Sequence, residues 1–334
     1  MNVMQAVVLE EQSDKPRFSL QEKSIPVPRR GQVLVKVEVA PLNPADVMFV
    51  RGRYIQQKPL PVVPGMVASG IVIASGGGLV ANVMLGKRVC CAGLSDGDGP
   101  WSQYLLTDAM LCLPLSKQIS FESGCNLLAN PTTAWGLMER VKRGGHRALV
   151  QNASAGELGL LIRTLAKSRK IPLINIVRSI RQAESLHKAG EKYVLDSTNL
   201  NFDDQLAELC GRLNATISLD AVAGEQSRQL LSAMPGGSEL VLYGRLSDQD
   251  MKFDGLDLIA GRGQRITGFS VMRWFEGLSF VRKMLVMNSI QAFFAKHSTV
   301  NIQRRVNLTS LMDNFSEYSS NTSEGKTLIY PNGL

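Results

Sequence analysis

Histidine is scarce in this chain: His146, His187 and His297 are the three in 334 residues. The five cysteines, Cys90, Cys91, Cys112, Cys125 and Cys210, form no C-x-x-C pair, and their number is odd. A local zinc site needs clustered His and Cys ligands, so no metal is expected. An odd set of scattered thiols excludes a disulfide framework and suits small core residues in a reducing cytoplasm. A membrane span is missing too. Residues 59–86 carry no charge, but Pro59, Pro61, Pro64 and Gly76-Gly77-Gly78 are not the composition of a spanning helix. That stretch reads as short buried strands joined by turns. Residues 1–9 lack the basic segment of a secretory signal. The 37 basic residues exceed the 29 acids, for a net charge of +8. They are scattered and not interleaved with aromatics, so nucleic acid is not expected; the modest positive field suits a polyanionic cofactor or a coenzyme A thioester.

What is present is organised around residues 149–159, LVQNASAGELG. A short apolar run of strand type is followed by small and polar residues. A helical pattern then begins, with Leu158, Leu161, Ile162 and Leu165 on one face. Strand, glycine-bearing turn and helix form the first half of a dinucleotide-binding βαβ unit, whose helix N-terminus offers free N–H groups and partial positive charge to a pyrophosphate. The spacing Ala153-x-x-Gly156-x-x-Gly159 departs from G-x-G-x-x-G and is a weak signal alone. It gains weight from a second strand, residues 171–177, about 20 residues on. Apolar runs at 216–219 and 239–243, with a weaker one at 191–196, continue the alternation of strands and helices that builds a parallel sheet. An NAD site usually ends its second strand in an acid that binds the ribose 2′-OH. Here Val177 is followed by Arg178, Ser179, Ile180 and Arg181; a guanidinium suits a 2′-phosphate, and Ser179 adds a donor. NADP is favoured over NAD.

Residues 1 to about 117 read as β-rich. Val33, Val35, Val37 and Val39 alternate on one face, and 70–74, 87–92 and 101–106 are further strands among Gly/Pro-rich turns, a small barrel or sandwich. Helical patterns cover 121–129 and 132–141, the second started by Pro131. After a strand at 266–270, an amphipathic helix is expected around 274–287. The strand-like residues 326–330 are expected to return to the first domain. Cys90-Cys91 is read as core, and His146 and His187 as surface residues. The Phe293-Phe294 pair reads as a helix packing face, and Asp46 fits either a general base or a turn-stabilising acid.

Taken together, the β-rich first part, the lack of zinc ligands, A-x-x-G-x-x-G after a strand and the late Tyr243-Gly244 resemble the zinc-free medium-chain dehydrogenase/reductase superfamily. Within it, Leu42-Asn43-Pro44-Ala45-Asp46, Arg51-Gly52-Arg53-Tyr54, Asn130-Pro131-Thr132-Thr133, Ile174-Asn175-Ile176-Val177-Arg178 and Gly268-Phe269 with Trp274 are similar to the quinone oxidoreductase and 2-enoyl thioester reductase branch. The resemblance implies a GroES-like β-rich catalytic domain, residues 1–117 completed by about 288–334. It implies a Rossmann doubly wound parallel-sheet domain at 118–287, with a cleft between the two. Tyr54 would be the catalytic tyrosine, as proton donor or carbonyl clamp, and Asn43 would order its loop. Asn130 and Thr133 would lie near the nicotinamide ribose and phosphates. Ala155, Gly156, Glu157, Leu158 and Gly159 would contact the pyrophosphate, and Arg178 and Ser179 the 2′-phosphate. Tyr243, Gly244 and Phe269 would line the cofactor crevice, with Lys326 near the far end of the nicotinamide site.

The implied activity is NADPH-dependent reduction of activated C=C bonds, foremost 2-enoyl thioesters, by a cytoplasmic homodimer acting on a small molecule. The alternatives are an NADPH:quinone oxidoreductase and, from another class, an NADPH-binding regulatory or RNA-binding protein with little catalysis. Chemistry gives Tyr54 independent support, because a phenol holds its proton at neutral pH and can stabilise an enolate. Three positions depart from the family pattern. Pro64-Gly65-Met66-Val67 lacks the acid of Pro-Gly-x-Glu. Glu157 puts a carboxylate in the phosphate turn, where it would repel pyrophosphate unless turned to water. Arg178 is followed by Ser179-Ile180, with Arg181 in place of a nearer second base.

Overall fold

Residues 3–247, 249–253, 262–297, 301–320 and 325–333 are described by the structure, a computed structural model. They divide into two units, Met1–Ala129 with Phe280–Leu334, and Asn130–Ser279. The first unit opens with β1 (Val3–Glu11) and β2 (Arg17–Ser24), an antiparallel pair. β3 (Gln32–Leu42) follows, with Val33, Val35, Val37 and Val39 all buried, as its alternation requires. Asn43-Pro44 stops the strand and starts α1 (Pro44–Val50), with proline in the first helical turn, where its missing N–H costs nothing. β4 (Val67–Ser75), α2 (Leu79–Met84), β5 (Arg88–Ala92), β6 (Tyr104–Asp108) and β7 (Cys112–Pro114) come next. The uncharged stretch thus ends as strand, turn and short helix. Among the described residues no helix is long and apolar enough to cross a membrane. All five cysteines are free and buried. Trp101 is fully buried, its ring 6.4 Å from Phe18 and 6.2 Å from Phe315. The chain passes so close to it that a Cβ on Gly65 (φ +98°) would lie 2.6 Å from the indole. The helix expected over 121–129 is only α3 (Phe121–Gly124); tight turns from Leu127 to Gly124 and from Ala129 to Asn126 replace its second half.

The second unit begins with α4 (Asn130–Arg143), which contains Pro131 in its first turn. Strands and helices then alternate: β8 (Leu149–Gln151), α5 (Glu157–Ser168), β9 (Leu173–Val177), α6 (Ile180–Lys188), β10 (Tyr193–Asp196), α7 (Phe202–Leu213), β11 (Ile217–Asp220), α8 (Glu225–Ala233), β12 (Glu239–Leu242) and β13 (Arg265–Gly268). The six strands pair in parallel in the order β10-β9-β8-β11-β12-β13. The chain runs outward from β8 to β10 and returns to β11 on the other side of β8, so the strand order reverses between β8 and β11. Open sheets of this kind bind ligands at such a reversal, beyond the carboxyl ends of the strands. The helix expected around 274–287 is split into α9 (Val271–Glu276) and α10 (Phe280–His297), because Gly277 closes the first. His146 is not a surface residue: its side chain is 9% exposed, and Nδ1 meets Thr216 Oγ1 at 2.8 Å. His187 is exposed.

From α10 the chain is again in the first unit. β14 (Ile302–Val306), α11 (Leu308–Asp313), α12 (Phe315–Ser320) and β15 (Lys326–Ile329) complete it. β15 pairs antiparallel with β3, Thr327 opposite Leu42, in the order β14-β15-β3-β4-β5-β7, with β6 also on β3. The C-terminal segment therefore lies in the first unit, next to the Asn43 turn.

Candidate functional site

In the second unit most of the expected cofactor residues follow the carboxyl ends of β8, β9, β12 and β13, and Asn130 and Thr133 lie in the first turn of α4. Ala153 turns the chain after β8 with φ +49°, and Ser154 is locked below it: its N–H donates to Ile176 O (3.1 Å) and its hydroxyl to Gln151 O (3.1 Å). Gly156 caps α5, and the first intrahelical bond shown runs from Leu160 N–H to Gly156 O (2.9 Å). The amides of Glu157, Leu158 and Gly159 therefore lie in the first turn, ahead of any intrahelical acceptor. A Cβ on Gly159 would come within 2.5 Å of Ser154 O, so the turn and helix can meet this closely only with glycine there. Turn and helix end fit a bound pyrophosphate. Glu157 does not turn to water: Asn130 Nδ2 donates to Glu157 Oε2 at 2.6 Å, joining two expected cofactor residues. At this end of α5 the carboxylate also meets the positive helix terminus.

Arg178 lies exposed at the end of β9. Its N–H donates to Gln182 Oε1 (3.2 Å), and its guanidinium has no partner among the described residues. Ser179 caps α6, its hydroxyl accepting from Gln182 N–H at 3.4 Å, which leaves the hydroxyl hydrogen to donate. Tyr243 follows β12, with its N–H on Asp220 O (2.9 Å); burial, then the Asp220 charge, push its phenol up. Gly244 passes Ala221 so closely that a Cβ would lie 2.8 Å from the carbonyl oxygen. Phe269 packs beside Trp274, ring centroids 6.2 Å apart. Thr133 lies half-buried in the first turn of α4.

Two buried networks that hold this turn were not read from the sequence. Asp220 Oδ1 accepts from Asn152 Nδ2 (2.6 Å) and from the amides of Val222 and Ala223 (2.9 Å each), and Oδ2 accepts from Ser227 Oγ. Asn152 Oδ1 returns a bond from Ala221 N–H at 2.7 Å, so the ends of β8 and β11 are tied at the point where strand order reverses. On the other side, Arg163 Nη1 donates to Ser154 O, and Nε faces Glu191 Oε1 at 3.1 Å. Asn175 Nδ2 donates to Glu191 Oε2 (3.2 Å), and Gln151 Nε2 donates to Asn175 Oδ1 (2.8 Å) and Gly159 O (3.2 Å). The signal for these was polar residues inside apolar strands, Gln151 and Asn175: a buried amide needs partners.

In the first unit, Tyr54, Asn43 and Lys326 gather around Asp46. Asn43 caps α1, and its N–H donates to Asp46 Oδ2 at 2.8 Å, one arm of a capping box. The pairing of β15 with β3 brings Lys326, 7% exposed, beside the turn, and its ammonium donates to Asn43 Oδ1. Tyr54 packs half-buried against the core. Burial, then the Asp46 carboxylate, raise its phenol above the ordinary value, so its proton stays on through neutral pH. The loop carrying it is tied down on several sides. Arg53 Nη2 lies 3.0 Å from both Asp14 carboxylate oxygens, Gln57 Nε2 donates to Tyr54 O, and Lys58 Nζ donates to the carbonyls of Leu94 (2.8 Å) and Gly97 (2.7 Å). Among the described residues no group of three or more His, Cys, Asp and Glu could hold a metal ion.

Fold and motifs agree with two family models: an alcohol dehydrogenase GroES-like domain at residues 29–117, and a zinc-binding dehydrogenase domain at residues 158–283. The chain belongs to the medium-chain dehydrogenase/reductase superfamily. It is 27% identical over 249 residues to the mitochondrial enoyl-[acyl-carrier-protein] reductase of Bos taurus, across 73% of this chain. That match spans 66% of the bovine protein, just under two thirds of its length. It is also 27% identical to a solved structure from Mesorhizobium loti, provisionally named NADPH:quinone reductase, with a TM-score of 0.90 and 99% of both chains covered. The mitochondrial 2-enoyl thioester reductase heterodimer of Candida tropicalis, 20% identical, superposes with a TM-score of 0.81 over 99% of this chain and 100% of that one, a likeness of fold.

Proposed function

We propose that this chain is an NADPH-dependent reductase of activated carbon–carbon double bonds, with 2-enoyl thioesters as its substrates. The observation that carries the reading is the Tyr54 phenol, a group that holds its proton at neutral pH, half-buried on a loop tied to its surroundings. The likeness to the bovine enoyl reductase adds to it. The turn at Ala153–Gly159 would take the pyrophosphate, with Asn130 drawing the Glu157 carboxylate aside. Arg178 and the Ser179 hydroxyl would take the 2′-phosphate, and Asn130, Thr133, Tyr243, Gly244 and Phe269 the ribose and nicotinamide side. Bound NADPH supplies a hydride for the β-carbon of the enoyl group. The electron pair of the double bond then moves toward the thioester oxygen, where the Tyr54 hydroxyl donates a hydrogen bond or proton. Asn43 and Lys326, bonded to each other, would fix the loop that presents it.

A cytoplasmic homodimer is part of the same reading. Five buried free thiols suit a reducing compartment. β13 pairs only with β12 among the described residues, which leaves an edge available to a second copy. The specific observation favouring the second reading, quinone reduction, is the likeness to the Mesorhizobium loti structure over nearly its whole length. NADPH consumption at about 340 nm against crotonyl-CoA and 1,4-benzoquinone separates the two. The enoyl reductase reading expects kcat/KM for the thioester to exceed that for the quinone by about 100-fold or more. The reverse ratio makes the protein a quinone reductase, and no turnover with either supports the regulatory alternative.

A further inference from the structure

Asp46 is 1% exposed, an unusual place for the acid of a capping box. Oδ2 accepts the Asn43 amide, but Oδ1 is buried without a hydrogen-bond partner of good geometry. A buried carboxylate left open in this way costs stability, and an uncharged residue could cap the helix. What surrounds it is cationic or donating. Lys326 on β15, Lys58 on the Tyr54 loop and the backbone amides of Asn43 and Met66 all favour the anion. Tyr54 feels the same charge, and Asp96 and Asp98 act on Lys58 from the loop after β5. Lys326 in turn donates to Asn43 Oδ1, so Asn43 links the Lys326 ammonium, through its side chain, to the Asp46 carboxylate, through its backbone amide.

We propose that Asp46 is a positioning residue: as an anion it draws the Lys326 ammonium, and with it the Asn43 side chain, into the arrangement used in turnover, and so sets the pH range of the reaction. This rests on the reductase reading above. Burial pulls the carboxyl up to about 7 against the attraction of the cations, so the anion is gained and lost around neutrality. The working arrangement is present above about pH 7 and fades below it. Stability has the opposite sign. The folded chain holds this proton more tightly than the unfolded one, so the contribution to stability is largest below 3.8 and falls until about pH 7.

The test compares kcat of the wild type and Asp46→Asn between about pH 6 and pH 8 with whichever acceptor turns over. Wild-type kcat should fall about tenfold from the upper to the lower end; Asp46→Asn should be flat and, at the upper end, about tenfold below the wild type. A wild-type profile without that limb, or a variant that keeps it, overturns the proposal. If the variant fails to fold, the Asn43 side-chain amide in the NMR spectrum of the wild type decides. It should titrate with a midpoint near 7, and an unmoving resonance overturns the proposal. If the wild type turns over no acceptor, the reductase reading fails instead, and the Asn43 titration alone decides whether Asp46 controls the Asn43–Lys326 pair. Thermal unfolding adds a readout free of activity: Asp46→Asn should gain on the wild type as the pH rises from about 5 to about 8.

Discussion

Replacing Tyr54 with Phe should lower kcat for an enoyl thioester by about 100- to 1,000-fold while NADPH affinity stays within about twofold. The substitution removes one hydroxyl from a half-buried ring that packs against the core, so packing and loop position are kept. The loop owes its position to contacts of Arg53, Gln57 and Lys58 that the substitution leaves alone. What is lost is the hydrogen-bond donor for charge that develops on the thioester oxygen only as hydride arrives. The loss should therefore appear in kcat more than in KM. Steady-state kinetics with a cofactor fluorescence titration checks both halves. A kcat within about threefold of the wild type would remove Tyr54 from the chemistry.

The largest expected effect on stability is at Asp220. Its carboxylate collects Asn152 Nδ2, two backbone amides and the Ser227 hydroxyl, all in a buried setting. It also holds Ala223 in a left-handed turn, φ +67°, that a residue with a Cβ seldom adopts. Asp220→Ala leaves these donors without an acceptor at the point where β8 and β11 are tied together. The cost should be about 3–5 kcal/mol, a fall in Tm of about 10 °C for a unit of this size. NADPH binding should weaken with it, because Asn152, next to the Ala153 turn, loses its partner. Circular dichroism melts with and without NADPH measure both, and a fall under about 2 °C would show that water or a shifted side chain replaces the carboxylate.

The parallel sheet was legible because β8, β9, β11 and β12 are apolar runs at helix-length intervals, and hydrophobic periodicity is a local property. The return of β15 to β3 was expected by analogy, since nothing local encodes a pairing across almost 300 residues of chain. Helix boundaries were less legible. α3 ends early where turns at Asn126 take over, and Gly277 splits the predicted helix between α9 and α10. The buried place of His146 was not legible because its partners, Thr216 just before β11 and Glu239 at the start of β12, lie far along the chain. Glu157 looked like an intruder in a phosphate turn, since its partner Asn130 lies 27 residues away at the start of another helix. Asp46 could be seen as a turn acid but not as a buried one. Its burial, and the Lys326 and Met66 groups that favour its charge, arise only in the folded chain.

The most direct measurement is the fate of deuterium from NADPH labelled at C4 of the nicotinamide, with crotonyl-CoA as acceptor. Mass spectrometry and NMR of the product should find a single deuterium on the β-carbon of butyryl-CoA, the mark of hydride delivery to an activated double bond. Unchanged crotonyl-CoA, with NADPH consumed only when a quinone is supplied, would contradict enoyl reduction and leave quinone reduction in its place.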